Sequence, residues 1–385
     1  MPEDIIPAQP TPVTTQPAPA VVPPVAPADV KKGHGKNVVI VVIALLVVVL
    51  AGLGIFYILN GKLSQKIQTA VVPSKTITIG FSLDSIAIAR WIRDRDLMTQ
   101  KAQSLGATVT TLVANSDDNT QIAQIQNLIN QKVNVIIVVA HNATALTGVI
   151  DQAHKAGVKV IAYDRMILNS NPDLYVSFDS AKVGELAAQY VMNAVPKTVI
   201  VPNVAFVGGS PTDNNATLVR NGAMSVLDPL IKAGKAKLVF DQYTANWDAQ
   251  TAYVNLKAFL DRGGKVDAVV VSNDGMATGV VKALTEHGLA GKVPVSGQDA
   301  ELTAVKRLVD GTQTVTLYKP ITAEANEAIL GAIDMANGKM PKTTGVTNNG
   351  TIDVSSYLLN PIPVTKDTIK TTVIKDGFYS TQDVY

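Results

Sequence analysis

The sequence predicts an α/β protein of two lobes, each a doubly wound parallel sheet, preceded by a disordered proline-rich tail and one transmembrane helix. Three observations predict it. Strand-like runs recur at the spacing of βα units, those runs are apolar without alternation, and the composition changes texture twice before residue 76.

The tail comes first. Residues 1–29 hold nine of the 20 prolines, mixed with Ala, Val, Thr and Gln, a composition that builds neither a helix nor a core. It reads as a solvated tail or as a docking arm for a proline-binding partner. With the basic flank of Lys31, Lys32 and Lys36 it makes a first segment, 1–37. Residues 38–59 then run for 22 positions without a charge. As a helix this stretch spans roughly 33 Å, enough for a hydrocarbon core of about 30 Å. A cleaved signal peptide has an apolar region of only about 7–15 residues behind a short basic start. The expectation is therefore a single uncleaved anchor in the lipid bilayer, followed by a linker over 60–75. Lys62 and Lys66 follow the apolar run, so the positive-inside bias toward a cytoplasmic N-terminus is slight.

The body begins at residue 76. Six basic and three acidic residues lie at or before Lys75, which leaves 27 and 28 for the remainder, and the whole chain carries +2. No basic excess marks a nucleic-acid partner. Cysteine is absent, which excludes disulfides, thiolate nucleophiles and an acylated N-terminal cysteine, and the four histidines have no metal-ligand spacing. No metal and no cofactor are expected.

Strand candidates lie at 76–83, 107–114, 134–140 and 158–162, and again at 204–208, 236–241, 267–272 and 292–295. Their starts are 31, 27 and 24 residues apart in the first set and 32, 31 and 25 in the second. A parallel strand reached through a crossover helix needs about that length. Between strands, Ile122, Ile125, Leu128, Ile129 and Val133 recur at helical spacing. The unbroken apolar run 135–139 suits a parallel sheet covered on both faces. Two sets of four units imply two lobes.

Ligands of open α/β sheets bind beyond the carboxyl ends of the strands. Those positions hold Arg90 and Trp91, Asp164 and Arg165, Asp213 and Asn215, Trp247, Asn273 and Asp274, and Gln298 and Asp299. Each has a plain structural reading when taken singly. Asp164 and Arg165 make an ion pair, Asp274 or Asp299 caps a helix, and either tryptophan belongs to a core. Taken together, six strand ends share one polar and aromatic character, and both tryptophans of the chain are among them. A pyranose ring matches that character, with C–H faces for indoles and an equator of hydroxyls for Asp, Asn and Arg. Catalytic readings lack fingerprints. No Gly-x-Gly-x-x-Gly opens a helix after a strand, Gly208-Gly209-Ser210-Pro211 lacks the lysine of a P-loop, and Ser210 sits in no nucleophile elbow. The carboxylates Asp164, Asp213 and Asp299 leave a glycosidase open, ranked below binding because arginine and asparagine stand beside them.

Residues 76–385 resemble the type I periplasmic sugar-binding family, and within it the D-xylose receptors of bacterial ABC importers. The resemblance is carried by Arg90-Trp91 with Arg93-Asp94-Arg95-Asp96, by Ala162-Tyr163-Asp164-Arg165, and by Gly208-Gly209-Ser210-Pro211-Thr212-Asp213-Asn214-Asn215. Ser272-Asn273-Asp274, Ser296-Gly297-Gln298-Asp299, Gly311-Thr312-Gln313 and Tyr318-Lys319-Pro320 continue it in order, and Lys375-Asp376-Gly377-Phe378 closes it. The resemblance implies that Trp91 and Trp247 sandwich a sugar ring. It implies that Arg90, Asp164, Arg165, Asp213, Asn215, Asn273, Asp299 and Lys319 hydrogen-bond its hydroxyls and ring oxygen.

It also implies three chain crossings, near Asp179, near Lys319 and at about residue 345. One lobe then combines 76–178 with 319–344, and the other 179–318 with 345–385. The implied function is non-enzymatic: monomeric lobes close over a monosaccharide, D-xylose foremost, and hand it to an ABC permease on the extracytoplasmic face of a bacterial cytoplasmic membrane. The alternative is a sensor that presents the bound sugar to a chemoreceptor or kinase. Two departures stand out: family members carry a cleaved signal or lipid anchor where this chain has 38–59, and an acidic residue where it has Ala89.

Overall fold

Branched apolar runs that lack alternation become strands buried on both faces. In the computed structural model the described residues are 48–56, 58, 76–88 and 90–385. In the first sheet, β1 (Thr78–Leu83), β2 (Thr108–Val113), β3 (Val135–Val138), β4 (Lys159–Tyr163) and β5 (Leu174–Phe178) lie parallel in the order β5-β4-β3-β1-β2. Helices α1 (Arg90–Ser104), α2 (Asp118–Asn130) and α3 (Thr147–Lys155) connect them. Successive side chains of β3 enter different cores. Val135 and Ile137 pack with Met98 and Ala102 of α1, whereas Ile136 and Val138 pack with Leu128 and Ile150 of α2 and α3. The strand period of two, covered on both sides, explains the run without alternation.

The second sheet repeats the plan. Here α4 (Ser180–Ala194) leads into β6 (Asn203–Gly208), which lies between β7 (Lys237–Tyr243) and β8 (Ala268–Val271), all parallel. Helices α5 (Asn214–Lys232), α6 (Ala249–Asp261) and α7 (Asp274–Glu286) follow the three strands. Of the candidate strand 292–295, the structure uses only Val295, in a single parallel bridge to Val269. Beyond α8 (Leu302–Asp310), β9 (Thr316–Tyr318) meets Gln298 through a second such bridge.

The chain crosses between lobes three times. It leaves β5 for α4 at Asp179, and it leaves β9 at Lys319 and Pro320 for α9 (Ile321–Ala336), whose Ala325, Ala328, Ile329 and Ala332 return to the first core. The third crossing follows Leu359 and corrects the boundary expected at about residue 345. Strands β10 (Gly345–Asn348) and β11 (Asp353–Leu359) form a hairpin, and β11 pairs parallel with β5 as an outer strand of the first sheet. Only then does β12 (Ile362–Val364) pair with β9 in the second lobe. The hairpin is polar and half exposed, so no apolar run announces it. Two crossings lie side by side, with Asp179 N donating to Leu359 O at 2.9 Å.

The body from Lys75 onward is one unit, and the chain up to Ser74 is another. The proline-rich tail, the linker 60–75, Ala89 and residues 38–47, 57 and 59 of the expected anchor lie outside the described residues. Residues 48–56 are helical, with Val48, Leu50, Leu53, Ile55 and Phe56 exposed. Among the described residues no helix is long and apolar enough to cross a membrane, so the span over 38–59 is not shown.

Candidate ligand-binding site

A small cavity of about 20 Å³ lies between the lobes, lined by Ile88, Arg90, Trp91, Asp164, Arg165, Asp213, Asn215, Trp247, Asn273, Gln298, Asp299 and Lys319. Apart from Ile88, no lining residue is more than 8 % exposed. All ten residues singled out from the sequence are in this lining, and the topology explains why. Arg90 and Trp91 open α1 after β1, Asp164 and Arg165 follow β4, and Asp213 and Asn215 open α5 after β6. Trp247 follows β7, Asn273 caps α7 after β8, Gln298 and Asp299 precede β9, and Lys319 follows it.

Two of them also cap helices, and the capping position expected of Asp274 or Asp299 falls instead to the neighbouring Asn273 and Glu301. Asp213 accepts from Asn215 N at 2.9 Å, and Asn273 accepts from Met276 N at 2.9 Å, so both cap helices while facing the cavity.

Charge is fixed in place by charge. Arg90 donates from Nη1 to Asp164 Oδ2 at 2.8 Å, from Nη2 to Glu324 Oε2 at 2.7 Å, and from Nε and Nη2 to Asp94 at 3.2 and 3.1 Å. Its guanidinium carbon lies 4.4 Å from the centroid of Trp91 and that of Arg165 lies 5.4 Å from it, so two cations hold this indole in the lining. Arg165 pairs with Asp84 at 2.8 Å and with Asp213 at 2.7 Å. Burial alone pushes the Asp164 carboxyl up, but Arg90, Lys319 and Arg165 outweigh it and hold it at about 2. Burial pushes Asp213 up, partly offset by Arg165.

Backbone strain concentrates here too. Asp164, Trp247 and Asp299 sit at φ 57°, 56° and 88°, a region that non-glycine residues adopt at a cost of order 1–3 kcal/mol each. The indole of Trp247 donates from Nε1 to Asp213 Oδ2 at 3.1 Å and lies on the backbone of Gly209, where a Cβ would meet it at 2.3 Å.

The two lobes are in contact across the cavity. Asn215 of the second lobe donates to Asp164 Oδ1 of the first at 2.9 Å, Arg165 pairs with Asp213, and Ala143 N donates to Thr212 O at 2.9 Å. Four buried lining atoms, Trp91 Nε1, Asn215 Oδ1, Gln298 Oε1 and Asp299 Oδ1, have no hydrogen-bond partner among the described residues.

Sequence reading missed the residues behind the lining. Asp94, one helical turn after Arg90, was within reach of an i,i+4 argument. Glu324 is 234 positions from Arg90 and leaves no local signal. Asp84 and its partner His141, 2.9 Å apart, likewise meet only in the fold. Gln298 appeared among the strand ends but not among the ten. Among the described residues no group of three His, Cys, Asp or Glu could hold a metal ion.

Two α/β lobes linked by three crossings, with a buried polar cavity lined from both, define a bilobal solute receptor. Residues 79–340 match the periplasmic binding protein domain, and the chain belongs to that family. It is 47 % identical over 313 residues to the D-xylose-binding periplasmic protein of Haemophilus influenzae, covering 81 % of this chain and 93 % of that one. The protein of the same description from Escherichia coli K12 is 46 % identical over 312 residues, with the same coverage. Among solved structures, an ABC transporter solute-binding protein from Clostridium phytofermentans with bound β-D-glucose is 28 % identical. Its TM-score is 0.74, over 80 % of this chain and all of that one.

Proposed function

We propose that the chain is a monosaccharide receptor, selective for D-xylose, held at the bacterial cytoplasmic membrane by residues 38–59 with its lobes on the outer face, and that it delivers the sugar to an ABC permease. One observation carries the ligand class: two indoles and four buried polar atoms without a hydrogen bond, of which Asp299 Oδ1 lies 3.7 and 3.8 Å from the Arg90 and Lys319 cations, converge on a buried cavity from both lobes. A partnerless buried polar atom costs about 1–3 kcal/mol, and a ligand hydroxyl recovers that cost. Hydrogen bonds to the charged groups add about 1.5–3 kcal/mol each. A ring that lacks one hydroxyl leaves a buried partner unmatched, which is how such a site selects.

Xylose is favoured over other sugars by the two relatives of 46–47 % identity that bear its name. Glucose in the related solved structure makes it the first competitor. Closure follows from the contacts that only adjoining lobes make, such as Arg165 to Asp213, together with the three crossings that act as a hinge. Calorimetric titration of the unit Lys75–Tyr385 with D-xylose, D-glucose, D-ribose and L-arabinose tests the reading. One-to-one binding, tightest for xylose, is expected. At 100 times its dissociation constant the sugar adds about 2.7 kcal/mol of apparent stability, a melting shift of several degrees. Tightest binding of another of the four moves the specificity and keeps the receptor; no binding to any overturns the ligand class. Loss of xylose uptake on deleting the gene separates delivery to a permease from signalling.

A further inference from the structure

Asn273 lines the cavity, but its neighbour Asp274 does not. Asp274 is fully buried beneath the cavity, at the point where three elements meet. Its Oδ1 accepts from Gln313 Nε2 at 2.8 Å, and its Oδ2 accepts from Thr316 Oγ1 at 2.7 Å and from Glu301 N at 3.0 Å. Its own N–H donates to Gln298 O at 3.1 Å. The first turn of α7, the loop 296–301 and the start of β9 are thereby tied through one carboxyl group.

The loop needs such a tie. Asp299 and Ala300 both have positive φ, 88° and 50°, without glycine's freedom. Their amides reach the same cluster, since Ala300 N donates to Thr316 Oγ1 at 3.1 Å and Asp299 N to Leu317 O at 2.8 Å. At Gly297 a Cβ would stand 1.9 Å from Asp274 Oδ1, so the carboxyl lies directly against the loop backbone. Gln313 is itself held, accepting from Arg307 Nε at 2.9 Å, and Arg307 Nη2 donates to Asp274 O at 3.0 Å.

We infer that Asp274 is a positioning residue: it sets Asn273 on α7 in register with Gln298 and Asp299 on the loop, and so shapes the second lobe's wall of the sugar site. This rests on the sugar-receptor reading for its effect on affinity, but its effect on the loop stands without it. Because only one wall is set by Asp274, loosening it alters which sugars fit as well as how tightly.

The experiment compares the unit Lys75–Tyr385 with Asp274→Leu, Asp274→Asn and Thr316→Val, using amide hydrogen exchange, melting and calorimetry with the four sugars. Leucine has the same branching, is larger and has no acceptor, and asparagine keeps one acceptor oxygen. The expected result for Asp274→Leu is a fall in protection of about tenfold or more at Asp299, Ala300 and Glu301. Protection of Asp164 N, bonded to Val176 O in the other lobe, stays unchanged. Xylose affinity falls about tenfold or more and the ratio of affinities among sugars changes, with Asp274→Asn restoring part of both.

Thr316→Val shifts the same amides in the same direction, and it decides the matter if the leucine variant does not fold. Unchanged protection at the three amides overturns the inference. So does a uniform loss of protection over both lobes with the sugar ratios preserved, which is the mark of a residue that only stabilises the fold. If the parent protein binds none of the four sugars, the receptor reading fails while the exchange pattern still decides the role of Asp274.

Discussion

Asp164 is held between two opposing demands: burial drives its carboxyl toward the neutral form, while three cations hold it at about 2. Its folded pKa lies below the ordinary 3.8, so its contribution to stability is present above about pH 4 and is lost as pH falls toward 2. The shift is worth roughly 2 kcal/mol. Denaturant unfolding of the parent and of Asp164→Asn should therefore show a stability gap that is constant above about pH 4 and narrows below it. A gap that ignores pH contradicts the ion-pair account. Gly209 offers a second residue-scale test. A methyl group there must displace the ring of Trp247, because the contact at 2.3 Å is with indole atoms locked by the bond to Asp213. Gly209→Ala should weaken sugar binding more than about tenfold, with a melting temperature changed by only a few degrees. Unchanged affinity means that Trp247 is core and not platform.

Helix α4 packs on α5 through two glycines. A Cβ at Gly184 would meet Val219 O at 1.8 Å, and one at Gly222 would meet Ala181 O at 1.8 Å, in both cases backbone that has nowhere to go. Helix propensity alone favours alanine over glycine by about 1 kcal/mol. Overpacking costs about 1–3 kcal/mol or more, so the steric effect decides the sign. Gly184→Ala should lower the urea midpoint without changing the slope, and a raised midpoint would falsify the close contact. The same elements mark the limit of sequence reading. Strands such as β3 and β8 were legible because both faces are covered and every position is apolar. β5 was missed because it follows β4 through a short loop with no helix between, so the βα spacing skips it. The hairpin of β10 and β11 was missed because the edge strand β10 and its partner β11 carry polar residues such as Thr347, Asn348 and Ser355, and that error moved the third crossing by about fifteen residues. Nine of the ten lining positions were legible because strand ends follow from strands, while Lys319, which follows the unread β9, came only from the family resemblance. Their ionic partners Glu324 and Asp84 were not, because contacts between distant positions leave no periodicity.

At the scale of the whole molecule, the open question is what holds a receptor of this class at its work. A receptor free to diffuse needs no apolar stretch, yet residues 38–59 contain none of the charged side chains that oppose insertion at about 2.5–3.5 kcal/mol each. Leucine, isoleucine, phenylalanine and valine each favour insertion by about 0.3–0.6 kcal/mol at the centre of a helix, and the run is built mainly of these. The described part of it, 48–56, turns Val48, Leu50, Leu53, Ile55 and Phe56 outward, where water is the costly neighbour and lipid the favourable one. The proposed anchoring by residues 38–59 makes a direct prediction. Membranes washed with alkaline carbonate should therefore retain the full-length chain and release one that begins at Lys75. Protease added to cells stripped of their outer layers should remove the lobes and leave the segment before residue 38 protected. Full-length chain that washes off the membrane would sink the anchor, and protected lobes would reverse its orientation. Either result would leave the sugar cavity as it stands, because every residue that lines it belongs to the unit Lys75–Tyr385.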